Sequence, residues 1–425
     1  SEKRKFKICD LDHKIEKDYV MKLLLFILLY WISPLLLANE IVIATTFSPE
    51  TTEHMVKQWQ NNFPNQKVRL INRTSNSLNR LLVQPNIEKV DLVLSSSPFL
   101  FQDLQEKGLL LELPKTYQNV LVPSQLKSTT TAIAFSGYGI LFNRNLLKQR
   151  HLAEPSDWNS LTDPAYFNSL LISSPSRSGS NHIMLEMLLQ QKGWAAGWQE
   201  ILTLSGNLSL ISSRSFNVAE KIKLGLVTAG ISIDSYANNL NNDPDFGFVY
   251  FPHSVASPAF IAAYKNNQNP KQALAFIQFL LSPEGQEVVT SPNIAKFPLK
   301  PAVPGSLQYE QQQKLLTQVP LDYDILLLRQ HLVEKLFDNA VTFRLKQLKD
   351  VWALVYQQEQ KTARKLTALR QQLTLVPVSE QQAIDPIYLE KIKNDRYFLL
   401  EQEKQWTDFF QQQINAVLAQ LEDIK

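Results

Sequence analysis

One cysteine, Cys9, stands among 425 residues, so no disulfide framework can hold this chain together. With no cysteine near residue 38, the usual bacterial lipid attachment box is missing as well. The six histidines, His13, His54, His151, His182, His253 and His331, are scattered, and none forms a helix-spaced pair that would hold a metal. Net charge is scarce too. The formal value is +3, and residues 39–425 carry 36 Lys and Arg against 35 Asp and Glu, which predicts no nucleic-acid partner. Glycine is absent after Gly305, where prolines stand only at 320, 377 and 386. An enzyme needs a nucleophile with a base, paired carboxylates or a metal cluster, and none of these is assembled along the sequence. A non-enzymatic protein without cofactor is expected.

The chain is long for one core, and 44% hydrophobic with 20% charged residues is an ordinary globular composition. Two lobes and an addition are expected. Met21-Lys22, the apolar run LLLFILLYWI and then SPLLLAN match a secretory signal at 21–38, with cleavage after Ala38. The alternative is an uncleaved anchor, although Ser33-Pro34 interrupts the run. Residues 1–20 precede a plausible initiator Met and are read as an unstructured upstream segment. Export without a lipid anchor suits the periplasm.

What is abundant is a strand, a Ser/Thr-rich turn and a helix, repeated. Leu171–Gly193 has an apolar strand, then SPSRSGSN, then a helix expected to bury Ile183, Leu185, Met187, Leu188 and Leu189 on one side. Helix N-termini carry unpaired N–H groups and partial positive charge, so Ser176, Ser178 and Ser180 with Arg177 and Asn181 form a cradle for an anion. Arg suits phosphate, which it meets with two parallel bonds. TTFSPE offers Thr45 and Thr46, SSSPF offers Ser96 and Ser97, and SSRSF offers Ser213, Arg214 and Ser215, while INRTSNS places Thr74 and Ser75 beside Arg73. An ordinary helix cap explains any one such junction. Several together point to a shared cleft at the carboxyl ends of strands. Ser136 and Tyr250 at the expected lobe crossings, and Asp234 as an acceptor for ligand hydroxyls, complete the candidate set.

Strands alternating with helices from Ile41 predict a largely parallel α/β sheet. Gly137 and Gly139 within TTAIAFSGYGILFNRNLL mark a crossing into a second lobe, and Tyr250–Pro258 marks the return. This divides the chain into lobe 1 (39–135 and 253–305), lobe 2 (136–252) and a helical extension (306–425). In the extension, Leu328, Leu332, Leu336, Val341, Leu345, Leu348, Trp352 and Val355 predict one buried stripe, and a further helix is expected from about Ile387 to Leu421. The extension is either a stabilising wrap or a docking surface for a membrane partner.

FSGYGILFNRNLL, SDWNSLTDPAY, FIQFLLSPEGQ and the YFP segment resemble landmarks of the type 2 periplasmic solute-binding proteins, in the branch of ferric-ion and organophosphate binders. ATTFSPE, LNRTSNSL, SSPSRSGSNHIMLEMLLQQKGW, SGNLSLISSRSFNVAEKIKLGL, YFPHSVASP and RLKQLKDVWAL resemble, within that group, the periplasmic components of phosphoglycerate-responsive regulatory systems. The resemblance implies a two-lobed α/β fold of type 2 with a C-terminal all-helical extension, a small phosphorylated carboxylate as ligand, and a membrane sensor kinase as partner. Ferric-binding relatives use neighbouring tyrosines, and no Tyr-Tyr occurs here. The core alone fits equally well a binding protein that delivers an organophosphate or other small anion to an inner-membrane permease.

Overall fold

The computed structural model describes residues 40–84, 88–238, 240 and 243–424. The expected upstream segment with Cys9 (1–20) and signal peptide (21–38) lie outside the described residues.

The first run of elements is β1 (Glu40–Thr45), α1 (Pro49–Asn62), β2 (Lys67–Asn72), α2 (Ser75–Leu82), β3 (Leu92–Ser95), α3 (Pro98–Glu106) and β4 (Thr131–Ser136). After one residue, Gly137, the chain enters β5 (Tyr138–Asn143), α4 (Arg144–Gln149), β6 (Leu170–Ser173), α5 (Gly179–Lys192), α6 (Trp194–Ser205) and β7 (Leu208–Ser212). It continues through α7 (Phe216–Lys223), β8 (Ala229–Ile233), α8 (Asp234–Asn238) and β9 (Phe246–Tyr250), then β10 (Ser257–Ala263), α9 (Pro270–Leu281) and α10 (Pro283–Thr290). Two sheets result, ordered β2-β1-β3-β10-β4 and β7-β6-β8-β5-β9. These are the two lobes.

Strands linked through helices run parallel, as β1 with β3 and β6 with β7 do. The antiparallel strands are those that arrive from the other lobe or lead to it: β10 against β3 and β4, and β5 against β8 and β9. A strand that enters a sheet from elsewhere is free of the crossover constraint that keeps βαβ units parallel. The sheets are therefore mixed rather than largely parallel. Gly137 permits the tight crossing, because a Cβ there would lie 2.5 Å from the Tyr250 ring and 2.8 Å from Leu315.

Side-chain alternation builds the first lobe in three layers. Ile41, Ile43, Leu92 and Leu94 face α1, α9 and α10 with Trp59, Phe276 and Val289, whereas Val42, Ala44 and Val93 face α2 and α3 with Leu78 and Leu104. In the second lobe Leu141 and Leu171 meet α7 on one face. On the other, Ile140, Ile172 and Ile231 pack on α5, and the same core runs on into the extension.

That extension comprises α11 (Leu307–Thr317), α12 (Tyr323–Leu328), α13 (Gln330–Ala340), α14 (Leu345–Thr362), α15 (Thr367–Leu373), α16 (Pro386–Asn394) and α17 (Arg396–Asp423). The expected stripe is shared between α13 and α14. Leu332, Leu336, Val341, Leu348, Trp352 and Val355 are buried, but Leu328 is 44% exposed. The last expected helix is two. Asp395 ends α16 and caps α17, its carboxylate accepting from the Tyr397 and Phe398 amides at 3.0 Å. Nor is α5 one-sided, since Gly179–Leu189 are buried all round because α13 covers the face that the sequence leaves polar. There Glu186 receives Arg329 at 2.6–3.1 Å in a buried ion pair, and His182 Nδ1 stands 3.6 Å from Glu334. Burial pushes the Glu334 carboxyl up, and the pull of His182 overrides it, leaving the group below its ordinary range.

Candidate functional site

Each helix of the repeated pattern starts just beyond the carboxyl end of a strand. Four such N-termini meet. The first lobe supplies α2 and α3, and the second supplies α5 and α7. Thr46, Thr74, Ser75, Ser96 and Ser97 from one side line a pocket with Arg177, Ser178, Ser180, Arg214 and Ser215 from the other. Positive helix ends converging without a carboxylate repel one another, and an anion between them relieves this.

The capping chemistry leaves donors to spare. Thr74, Ser97 and Ser215 occupy the N-cap positions of α2, α3 and α7, yet none of their hydroxyls makes a capping bond. Ser178 does cap α5, accepting from the Asn181 amide at 3.4 Å. Neither Arg177 nor Arg214 has a carboxylate within ion-pair distance among the described residues. Burial and the nearby Arg73 charge lower the Arg214 pKa, against the opposing influence of Tyr236. An anion here would meet two cations that no protein group neutralises.

The lobes are pressed together in this conformation. The Ser75 amide donates to the Arg177 carbonyl at 3.2 Å, and Arg214 donates to the Arg73 carbonyl at 2.9 Å and to the Asn72 side chain. A Cβ on Gly179 would lie 2.4 Å from Ser97 Cβ, so only glycine lets α5 approach that turn. The pocket holds about 20 Å³, room for about one water. Any larger guest enters only when the lobes part.

Other candidates stand behind the pocket rather than in it. Thr45 braces its turn by accepting from the Phe47 amide at 3.0 Å. Ser176 bonds Ser174 at 2.8 Å, and Ser174 bonds Asp338 of α13 at 3.0 Å. Asn181 accepts from the Ser173 amide at 3.1 Å. Ser213 sits half-buried in its turn and does not line the pocket, and Arg73 lies exposed, bonded to the Asn72 carbonyl. Ser136, Asp234 and Tyr250 gather at the lobe crossing. There Asp234 Oδ2 accepts from the Gly137 amide at 2.7 Å and the Tyr250 hydroxyl at 2.9 Å. Burial pushes Asp234 up to about 6, despite those bonds and the nearby Lys296. Among the described residues no cluster of His, Cys, Asp and Glu could hold a metal.

Residues 88–323 match the family model for bacterial extracellular solute-binding proteins. The chain belongs to that family. Over 390 residues this solute-binding protein is 45% identical to the phosphoglycerate transport regulatory protein PgtC of Salmonella typhimurium, covering 91% of this chain and 98% of that one. The Salmonella typhi protein of the same name matches equally. In architecture the solute-binding protein is similar to the periplasmic binding protein AfuA of Actinobacillus pleuropneumoniae, solved with fructose-6-phosphate, at a TM-score of 0.65 and 18% identity over 72% of this chain and 99% of AfuA. It is also similar to a substrate-binding protein of an ABC transporter from Agrobacterium tumefaciens, with TM-score 0.61 and 17% identity over 74% and 95% of the two chains. The two-lobed periplasmic binding fold follows. No helix among the described residues is long and apolar enough to cross a membrane.

Phe47, Gly179 and Tyr236 also line the pocket of this solute-binding protein, and the residue patterns did not single them out. Phe47 and Gly179 lie inside the flagged turns and Tyr236 in the SIDSYA stretch, so their neighbourhood was legible. The Phe47 and Tyr236 rings and the close approach at Gly179 were not.

Proposed function

We propose that this solute-binding protein is the periplasmic ligand-binding component of a phosphoglycerate-responsive regulatory system, exported by a signal peptide cleaved after Ala38. The single observation that carries the reading is the meeting of four helix N-termini, two from each lobe, with Arg177 and Arg214 unneutralised among the described residues. A small phosphorylated carboxylate supplies the charge they lack. The identity with a phosphoglycerate transport regulatory protein supports that choice of ligand. The protein performs no chemistry on its guest. Open lobes capture the ligand, closure brings the opposite turns onto it, and the closed surface engages the periplasmic domain of a membrane sensor kinase that induces a phosphoglycerate transporter. Ligand drives closure only through its greater affinity for the closed form.

Calorimetry of residues 39–425 with 2- and 3-phosphoglycerate and phosphoenolpyruvate tests the reading. Arg177→Ala and Arg214→Ala are each expected to weaken binding by about 10- to 100-fold, the worth of a charged hydrogen bond. Unchanged affinity in both would misplace the pocket. Gly179→Ala, whose methyl meets Ser97, is expected to weaken binding at least about tenfold and to enlarge the ligand-bound particle in small-angle scattering.

A second reading rests on the likeness to the Agrobacterium transporter component. In it the protein delivers an organophosphate or similar anion to an inner-membrane permease. Recovery of the permease rather than the kinase in a pull-down with ligand decides for it.

A further inference from the structure

Lys296 follows α10 and is 6% exposed, yet it belongs to none of the turns described above. Its ammonium donates to Ser136 Oγ at the end of β4 at 3.1 Å, and to Ser235 Oγ at the start of α8, in the other lobe, at 3.4 Å. It also lies 5.3 Å from the centre of the Phe47 ring. No carboxylate stands within ion-pair distance of it among the described residues. A buried ammonium held by two neutral hydroxyls is under-compensated.

Beside it is the complementary oddity. Asp234 spends Oδ2 on the Gly137 amide and Tyr250, while Oδ1 is buried with no partner at hydrogen-bond distance among the described residues. Burial raises the carboxyl's pKa, and the nearby Ser136 hydroxyl only helps to hold it down. The backbone that presents the lysine is fixed, since the Lys296 amide bonds the Val289 carbonyl at 3.0 Å and Phe297 pairs with Phe135 across β4. Phe47 lines the serine-turn pocket, and so does Tyr236, the residue after Ser235. The lysine and the second carboxylate oxygen thus lie one side chain beyond the serine-turn pocket, at the crossing between the lobes.

Resting on the ligand reading above, we infer that Lys296 and Asp234 form a second pole of the cleft: once the lobes have parted to admit the ligand and closed on it, Lys296 binds the ligand carboxylate and Asp234 Oδ1 accepts from the adjacent hydroxyl. In the conformation described here, whose pocket admits no more than a water, the hydroxyls of Ser136 and Ser235 occupy the ammonium in the carboxylate's stead. Phosphate and carboxylate are then read by separate groups, the first by helix ends and arginines and the second by one lysine. A phosphate ester without the carboxylate uses only the first pole.

The experiment compares 3-phosphoglycerate with glycerol 3-phosphate, which keeps the phosphate and lacks the carboxylate, by calorimetry on wild type, Lys296→Met, Lys296→Gln and Lys296→Arg. Wild type is expected to prefer phosphoglycerate by about 10- to 100-fold. Lys296→Met and Lys296→Gln are expected to abolish that preference while shifting glycerol 3-phosphate affinity less than about threefold, and Lys296→Arg to retain part of it. A lysine that merely braces the crossing would change both affinities together, and that result overturns the inference. So does a wild type that binds both esters equally, which leaves the phosphate pocket standing. A wild type that binds neither ester overturns the phosphate reading itself and this inference with it. Should Lys296→Met fail to fold, Lys296→Gln, which keeps a donor for Ser136 and Ser235, separates the same outcomes.

Discussion

The two lobes share a plan and differ in what covers them. The first is closed on both faces by helices of its own, with one apolar cluster on each side of the sheet. The second covers one face with α7 but shares the core of its other face with the extension, so that Ile140 and Ile172 belong to the same cluster as Trp352 and Phe410. The polar contacts follow suit. Toward the second lobe the extension presents the buried Arg329–Glu186 pair. On the first, α11 packs Leu315 against Phe135 and Phe297, and Gln312 accepts from the Ala302 amide at 2.6 Å. Beyond α11 the extension offers the first lobe half-exposed Lys393 to Glu106 at 3.0 Å and Asp324 to Gln125. Exposed pairs contribute little, whereas a shared core is lost as a whole. From α12 onward the extension is therefore expected to stay with the second lobe in any opening of the cleft. It is part of that lobe's fold, whatever else docks on it.

Truncation separates the two lobes most directly. A chain ending at Gly305 strips α5 of its outer cover, and is expected to lose cooperative unfolding of the second lobe while keeping slow amide exchange in β1 and β3 of the first. A fully folded truncate would make the extension a detachable domain. Next in size, Arg329→Ala leaves Glu186 buried without its cation and is expected to cost about 3–5 kcal/mol in denaturant unfolding. An Arg329→Met, Glu186→Leu double variant should recover most of that loss, because the pair offsets little beyond its own desolvation.

The smallest effect concerns the crossing that both lobes share. The pKa of Asp234 is raised, so the folded state keeps its proton to higher pH than the unfolded chain does. Stability from this group is present below about pH 4 and is lost as pH rises to about 6. Relative to wild type, Asp234→Asn is expected to gain on the order of 2 kcal/mol between those limits, read from thermal melts across pH. A flat difference would place Asp234 in a more solvated site. Lys296 has the opposite sign. Its pKa falls to about 8 through burial, against the pull of Asp234, so stability from this group is lost below that pH and returns toward pH 10.

Much of the cleft was legible because its signals are local. Ser and Thr at helix starts, proline directly after Ser48 and Ser97, and arginine in the turns are features of a few consecutive residues. These turns did meet in one pocket. Asp234 shows the limit of such reasoning, since a carboxyl at a strand end gives no sign that one of its oxygens braces the Gly137 amide and Tyr250 from across the crossing. His182 and Glu186 show another. They look like the solvent face of an amphipathic helix, and they face Glu334 and Arg329 from a segment well over a hundred residues away.

The alternation of strands and helices, the two crossings near Gly137 and Tyr250, and the Ser/Thr-rich turns at helix starts were set by the chain's local pattern, because periodicity, capping and glycine act over a handful of neighbours. Folding of distant segments onto one another settled which turns face each other, that α5 is buried on all sides, and that Lys296 is buried behind Phe47 between the Ser136 and Ser235 hydroxyls. Those facts depend on which distant surface covers a side chain, and burial is set by that covering and not by the residue itself.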